Sequence, residues 1–295
     1  MRGMPARIAL VLATALLFAA RPAAAQSCDR ACLTGIVSVY LSAMTAHDPS
    51  RVPVADRVRV TEDTKVIALG DGLWKNITTL RPYRQDFIDA REGVAATFGV
   101  AEEGGKPVLL AVRLKVVNRK VTEIESMVVR SREEGVLFQP DGFKAPNPGM
   151  AHVPTAAERN TRDDLVRVAS LYPAGLRAGS FVTPDVPMSS DAYRFENGQK
   201  MAGPGCVFRP PSCEDMKGQA VPKLPGLTYR VVAVDEEMGA VLLWQNFGPG
   251  ALPGAATSPN TFVTFEAFKV YGGAIHAAEA ILETLPIGAP SGWDK

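Results

Sequence analysis

Several signatures of chemistry are missing from this chain. It has no G-x-S-x-G, no H-E-x-x-H, no phosphate-binding loop and no dinucleotide fingerprint, so a serine nucleophile, a zinc peptidase and a nucleotide enzyme are unsupported. Histidine is scarce, at three residues: His47, His152 and His276. Charge of one sign is lacking too, with 32 basic residues against 31 acidic ones. No strongly basic face follows, and nucleic acid is not an expected partner. Beyond the first residues no apolar run is long enough to cross a bilayer, so no stable membrane anchor is expected.

What is present begins with a leader. Arg2 and Arg7 precede an unbroken apolar run from Ile8 to Ala20, and Ala23, Ala24 and Ala25 offer small residues for cleavage before Gln26. This is the layout of a secretory signal peptide over residues 1–25, and it predicts a secreted, periplasmic chain. Cys28, Cys32, Cys206 and Cys213 fall into two close pairs. In an oxidising compartment they suggest Cys28–Cys32 and Cys206–Cys213 disulfides, although four cysteines allow three connectivities. A zinc site would have to bridge the two halves, and no metal is expected.

The chain repeats itself. RLKVVNRKVTEIESMV (113–128) aligns without a gap on AFKVYGGAIHAAEAIL (267–282). Lys115 meets Lys269, Val116 meets Val270 and Glu125 meets Glu279. Each segment reads as strand, tight turn, strand. VYLSAMTAHD (39–48) matches LYPAGLRAGS (171–180), VAEE (100–103) is paired with VDEE (234–237), and Arg59–Glu62 with Arg194–Glu196. Those pairings imply an insertion in the second half, visible as the Gly/Pro-rich loop 248–260. The expected organisation is a first domain over 26–139, a linker over 140–160 and a second domain over 161–295. Thr161 and Asp164 suggest a helix cap, and Pro173 should kink or shorten the helix that follows.

The predicted fold class is α+β. RVTED (59–63), GDGLW (70–74) and YRQDF (83–87) in the first half, with YRFENG (193–198), VDEEMG (234–239), FEAFKV (265–270) and PIGAPSGW (286–293) in the second, resemble the NTF2-like (SnoaL-like) superfamily used twice. The resemblance implies two tandem cone-shaped domains, each a curved antiparallel sheet backed by helices. It also implies acid–base chemistry in an apolar cone without metal or organic cofactor. One branch, the sphingomonad diarylpropane lyases that deformylate lignin-derived aryl dimers, is similar in compartment and architecture.

Candidate acid–base groups are His276, Glu196, Arg84 and Glu62. Histidine titrates nearest neutrality, and Thr122 stands at the matching place in the first repeat, so the fold does not require His276. The plainer alternative is a histidine on the outer strand face. Glu196 and Asn197 could supply a base and an oxyanion donor; the alternative is a set of structural ion pairs, Arg194–Glu279 and Arg59–Glu125. Trp74, Tyr83, Tyr193 and Asn197 are candidate substrate contacts, with core packing the alternative for Trp74. Strand alternation separates Tyr83 from Arg84 and Asp86. Because the second half gains His276 and the inserts 204–226 and 248–260, it is expected to form a pocket with those inserts as rim.

The function expected is a cofactor-independent lyase or isomerase acting on a small hydrophobic, aromatic molecule. The alternative is a non-catalytic binding or assembly module. A homo-oligomer stays open.

Overall fold

A computed structural model describes residues 27–208, 211–252 and 258–293. The leader expected over 1–25 lies outside the described residues.

Helix α1 (Arg30–Thr45) starts where the Asp29 carboxylate accepts the Cys32 N–H, and the Cys28–Cys32 disulfide ties the residue before this cap to the first helical turn. Then come β1 (Val54–Glu62), β2 (Lys65–Val66), the short α2 (Leu73–Asn76), β3 (Ile77–Asp89), β4 (Val94–Glu103), β5 (Lys106–Val117) and β6 (Lys120–Val129). The stretch after β6 holds two single-turn helices, α3 (Arg132–Gly135) and α4 (Pro148–Ala151). The second repeat follows: α5 (Arg162–Ala178), β7 (Met188–Glu196), β8 (Gln199–Ala202), β9 (Thr228–Asp235), β10 (Ala240–Asn246), β11 (Asn260–Tyr271) and β12 (Ala274–Pro286). Helix α5 is capped by Thr161, runs through Pro173 and ends at Gly179 in the left-handed region.

The strands form two six-stranded sheets of identical topology, β2-β1-β6-β5-β4-β3 and β8-β7-β12-β11-β10-β9. Each sheet is mixed and not purely antiparallel. β1 lies parallel to β6, and β7 parallel to β12. The first strand can lie parallel to the last because, after β2 or β8, the chain crosses to the far edge of the sheet and then returns strand by strand to β6 or β12.

Superposing the two topologies corrects the expected pairings. Asp89 at the end of β3 corresponds to Asp235 at the end of β9, so VDEE matches IDAR (88–91) and not VAEE. Gly93 and Gly239 then hold the same turn at φ +62, each with a strand carbonyl so close that a side chain would collide. The insertion in the second half is accordingly shorter than the expected pairing implies. Glu62 does match Glu196, since Glu62 sits beside Ser126 and Glu196 beside Ala280. Arg59, however, matches Tyr193, because a one-residue offset sends a strand residue to the opposite face. Arg194 therefore lies on the face opposite Glu279 and does not pair with it; Arg59 shares a face with Glu125, but it turns to the Gly292 carbonyl and Trp293 while Glu125 takes Arg113 and Arg230.

Each sheet has one face under its own helix. Tyr40, Leu33 and Met44 of α1 pack on Val112, Leu114 and Ile124. Tyr172, Leu165 and Val168 of α5 pack on Leu243, Phe268 and Ala278. The opposite faces pack on each other, with Phe87, Phe98 and Ala111 meeting Trp244, Phe265 and Ile281. The halves also exchange contacts in a near two-fold pattern. Asp89 accepts hydrogen bonds from Arg162 at 2.6 and 3.0 Å and from the Val234 N–H at 2.9 Å. Asp235 accepts from Arg30 at 2.6 Å and from the Ile88 N–H at 2.9 Å. Each edge strand, β3 or β9, thus has a backbone N–H capped by the carboxylate that ends the other.

The segments that leave each repeat cross over as well. After β6, Asn147 reaches Glu279 and the Met150 N–H reaches Tyr193 of the second sheet. After β12, the Gly292 carbonyl accepts from Arg59, and Trp293 donates to Thr61 of the first sheet while lying against the Arg59 and Arg113 guanidinium groups.

Candidate functional site

Alternation along the strands puts Arg194 and Glu196 of β7, Gln245 of β10, and Thr264 and Glu266 of β11 on the helix-covered face of the second sheet. Gln245 and Thr264 are directly opposite each other, and Leu243 faces Glu266. Under α5 this face bounds a cavity of about 520 Å³, lined at its polar end by Tyr172, Arg194, Glu196, Gln219 and Glu266. Its apolar end includes Leu176, Phe247, Phe262 and Leu282.

Arg194 organises the polar end. It donates to the Tyr172 hydroxyl at 3.0 Å and to Gln219 Oε1 at 3.1 Å. Its Nε lies 2.9 Å from Glu196 Oε1, an ion pair by distance without the alignment of a hydrogen bond. Glu266 is buried, and Gln245 is its hydrogen-bond donor. Burial, reinforced by the negative charge of Glu196, pushes the Glu266 carboxyl up to about 8. Burial also raises the Tyr172 phenol. One carboxylate is ion-paired and its neighbour keeps its proton near neutrality, an arrangement that separates a base from an acid.

The first repeat serves as an internal control. Where the second has Arg194, Glu266, Gln245 and Thr264, the first has Val60, Val112, Gly99 and Leu110. The fold is built equally well with apolar residues there. Only Glu196 has a polar counterpart, Glu62; the scaffold does not require the rest of the polar set.

The inserts line the mouth. Phe208, Ser212, Cys213 and Ala220–Pro222 come from the insert 204–226, where Cys206–Cys213 is a disulfide. Gly250–Leu252 come from the loop 248–260, of which 253–257 lie outside the described residues, as do 209 and 210 of the other insert. A further wall, Val136 and Leu137, comes from the exit of the first repeat. Val136 has φ +60 and ψ −39, and the Leu137 N–H bonds the Gly135 carbonyl at 2.6 Å across it. A β-branched residue in this three-residue turn is strained. Val136→Gly is expected to raise stability by about 1 kcal/mol, since strain of this kind costs on the order of 1–3 kcal/mol and glycine entropy returns part of it. Urea unfolding of the variant checks this, and a loss of stability would show that the turn is relaxed.

The other candidates are placed elsewhere. His276 is outside this cavity: its ring stacks on Tyr271 at 3.4 Å between centroids, Nε2 is 3.2 Å from the Tyr271 carbonyl, and Asp191 is 3.7 Å away. Partial burial lowers its pKa. His276 and Glu196 do not share a pocket. Asn197 is fully buried at a left-handed turn position, and its amide is engaged by backbone: Nδ2 donates to the Leu137 and Leu282 carbonyls, and Oδ1 accepts the Leu282 N–H. It holds the Gly135–Leu137 turn against β12, a positioning role and not a ligand contact. Tyr193 points to the inter-sheet face, bonding Glu279 at 3.1 Å.

In the first repeat, Glu62 accepts the Leu73 N–H at 2.9 Å and Arg130 at 3.0 Å, which anchors α2 inside the cone. Trp74 follows on α2; it is core, donating to the Tyr40 hydroxyl at 3.1 Å. Arg84 forks onto Asp86 at 2.7 and 2.8 Å and borders an open cavity of about 440 Å³ beside α1. Tyr83, on the opposite face as alternation requires, is buried against Phe143 at 4.7 Å. Among the described residues no group of His, Cys, Asp or Glu side chains is arranged to hold a metal ion, and no helix is long and apolar enough to cross a membrane.

Glu266, Gln245, Thr264 and Gln219 were not among the residues singled out from sequence. The signal for Glu266 was available: a lone carboxylate inside FVTFEAFKV, aligned on Val112 of the first repeat.

No curated protein matches the chain. Among solved structures it is similar to a de novo designed protein with a curved β-sheet, at 16% identity over 34% of this chain and 87% of that one, with a TM-score of 0.30. It is also similar to an NTF-2 like protein of unknown function from Burkholderia xenovorans LB400, at 10% identity over 34% of this chain and 85% of that one, with a TM-score of 0.25. A family described as a domain of unknown function (DUF8021) matches residues 158–282, the repeat that carries the cavity.

Proposed function

We propose that the second domain is the working half of a secreted, NTF2-like, cofactor-independent lyase or isomerase. Its substrate is a small hydrophobic, aromatic molecule. The observation that carries this reading is the pair Glu196 and Glu266, two carboxyl groups in one largely apolar cavity with different partners. Glu196 acts as the base and removes a proton from the substrate. Glu266 acts as the acid at an oxygen, giving an enol in an isomerisation or releasing water from a leaving hydroxyl. In the deformylating version, Glu266 protonates the leaving hydroxyl of a phenolic dimer while the phenol proton passes to solvent, so water leaves and a quinone methide remains. Glu196 then takes the carbinol O–H proton, the carbon–carbon bond breaks into the quinone methide, formaldehyde leaves, and the resulting phenolate regains a proton from solvent.

The test is incubation with a panel of phenolic dimers and aryl ketones, with products read by mass spectrometry. Turnover should fall as pH rises through about 8, where Glu266 loses its proton. A rate that climbs through that range excludes Glu266 as the acid. A binding module is the second reading, favoured by the way Arg194 and Glu196 already satisfy one another; it predicts saturable binding without product.

A further inference from the structure

The charges around the cavity have a consequence for what enters it. Arg194 is the cation among its described lining residues, and its charge is balanced by Glu196, 2.9 Å from its Nε, while its other two nitrogens donate to the Tyr172 hydroxyl and Gln219. A carboxylate or phosphate would have to displace one of these partners to take a bidentate grip on it. An anion would instead meet two carboxyl groups among largely apolar walls, losing hydration without a partner. An ammonium fares no better. Glu196 is already paired, and Glu266 is buried with Gln245 as its donor among the described residues. Taken together, Arg194 with Glu196 and a protonated Glu266 leave the polar end without net charge.

We infer that this cavity selects uncharged ligands: a flat apolar body carrying a hydroxyl or carbonyl oxygen at one end, to the exclusion of carboxylates, phosphates and ammonium groups. The inference rests on reading the cavity as a ligand site. The oxygen docks at Glu266, which offers it a proton. The body lies along Leu176, Phe247 and Phe262, where aromatic walls suit a flat partner.

The experiment is fluorescence titration of the full chain with three probes of nearly equal size: naphthalenemethanol, naphthoate and naphthylmethylammonium. At mildly acidic pH the alcohol should bind at least about tenfold more tightly than either ion. Its affinity should weaken at alkaline pH, and Glu266→Gln should remove that pH dependence while keeping the alcohol bound. Equal or tighter binding of naphthoate or of the ammonium overturns the charge selection but leaves the cavity a ligand site. If none of the three binds, the ligand-site reading falls and the inference falls with it. If the alcohol binds with the same pH dependence in Glu266→Gln, Glu266 is not the docking group.

Discussion

Replacing Asp89 with alanine is expected to cost about 3–5 kcal/mol, the range for breaking a buried ion pair from one side. The carboxylate is 2% exposed and accepts Arg162, the Val234 N–H and, at 3.1 Å, the Glu92 N–H. Alanine leaves a guanidinium with only a partial share of Glu236 and strands the buried Val234 N–H away from water. Asp235→Ala removes the matching contacts and should cost somewhat less, because the Arg30 side chain is 31% exposed and regains water more easily than that of Arg162, at 17%. Guanidinium unfolding measures both. A loss below about 1 kcal/mol for Asp89→Ala would mean that the reciprocal caps do not hold the halves together. The two sites share the β3–β9 contact, so the double variant should lose less or more than the sum, and a strictly additive result would separate them.

Glu266→Gln is expected to lower turnover about 10²–10⁴-fold, the usual contribution of a general acid, while raising stability. The amide keeps the shape and a hydrogen bond to Gln245 but cannot give up a proton. The stability gain has a definite pH window. A carboxyl raised from about 4.5 to about 8 on folding contributes fully below the lower value and loses that contribution as pH climbs through the upper one. By pH 7 the wild-type penalty reaches about 3 kcal/mol. Calorimetric scans between those limits should show wild type weakening with pH and the variant nearly flat at this position. A variant that keeps full turnover removes Glu266 from the chemistry, and one that unfolds makes it a structural group.

The repeat was legible because its marks are local. Lys115 and Lys269, and Glu125 and Glu279, flank a two-residue hairpin turn that is the same in both halves, and Tyr40 and Tyr172 sit on the helix that covers each sheet. Both disulfides could be read for the same reason, from cysteines a few residues apart. Pairing VAEE with VDEE failed because β3 and β9 differ in length and in where they bulge, and because the loop after β10 is longer than the one after β4, so the acidic runs aligned by composition and not by register. Parallel β1–β6 and β7–β12 contacts are non-local and leave no pattern in either strand. His276 drew notice as a rare titratable residue, yet an imidazole at the hairpin end stacks on its own strand neighbour. Glu266 escaped notice because a single carboxylate in an apolar strand reads as a surface position until its register is known. The site is thus a property of which face each strand turns inward, and that information sits in the partner strands.

The covalent joining of the two repeats has an evolutionary consequence. In a pair of identical subunits every substitution is made twice, once in each cone, and any loss of stability is doubled. A fused pair escapes that rule. Positions 60 and 112 are valine and fill the first sheet's helix-covered face around Tyr40 and Trp74, while their twins are Arg194 and Glu266. One copy can carry a buried charge and a buried acid at positions where the other keeps an apolar core.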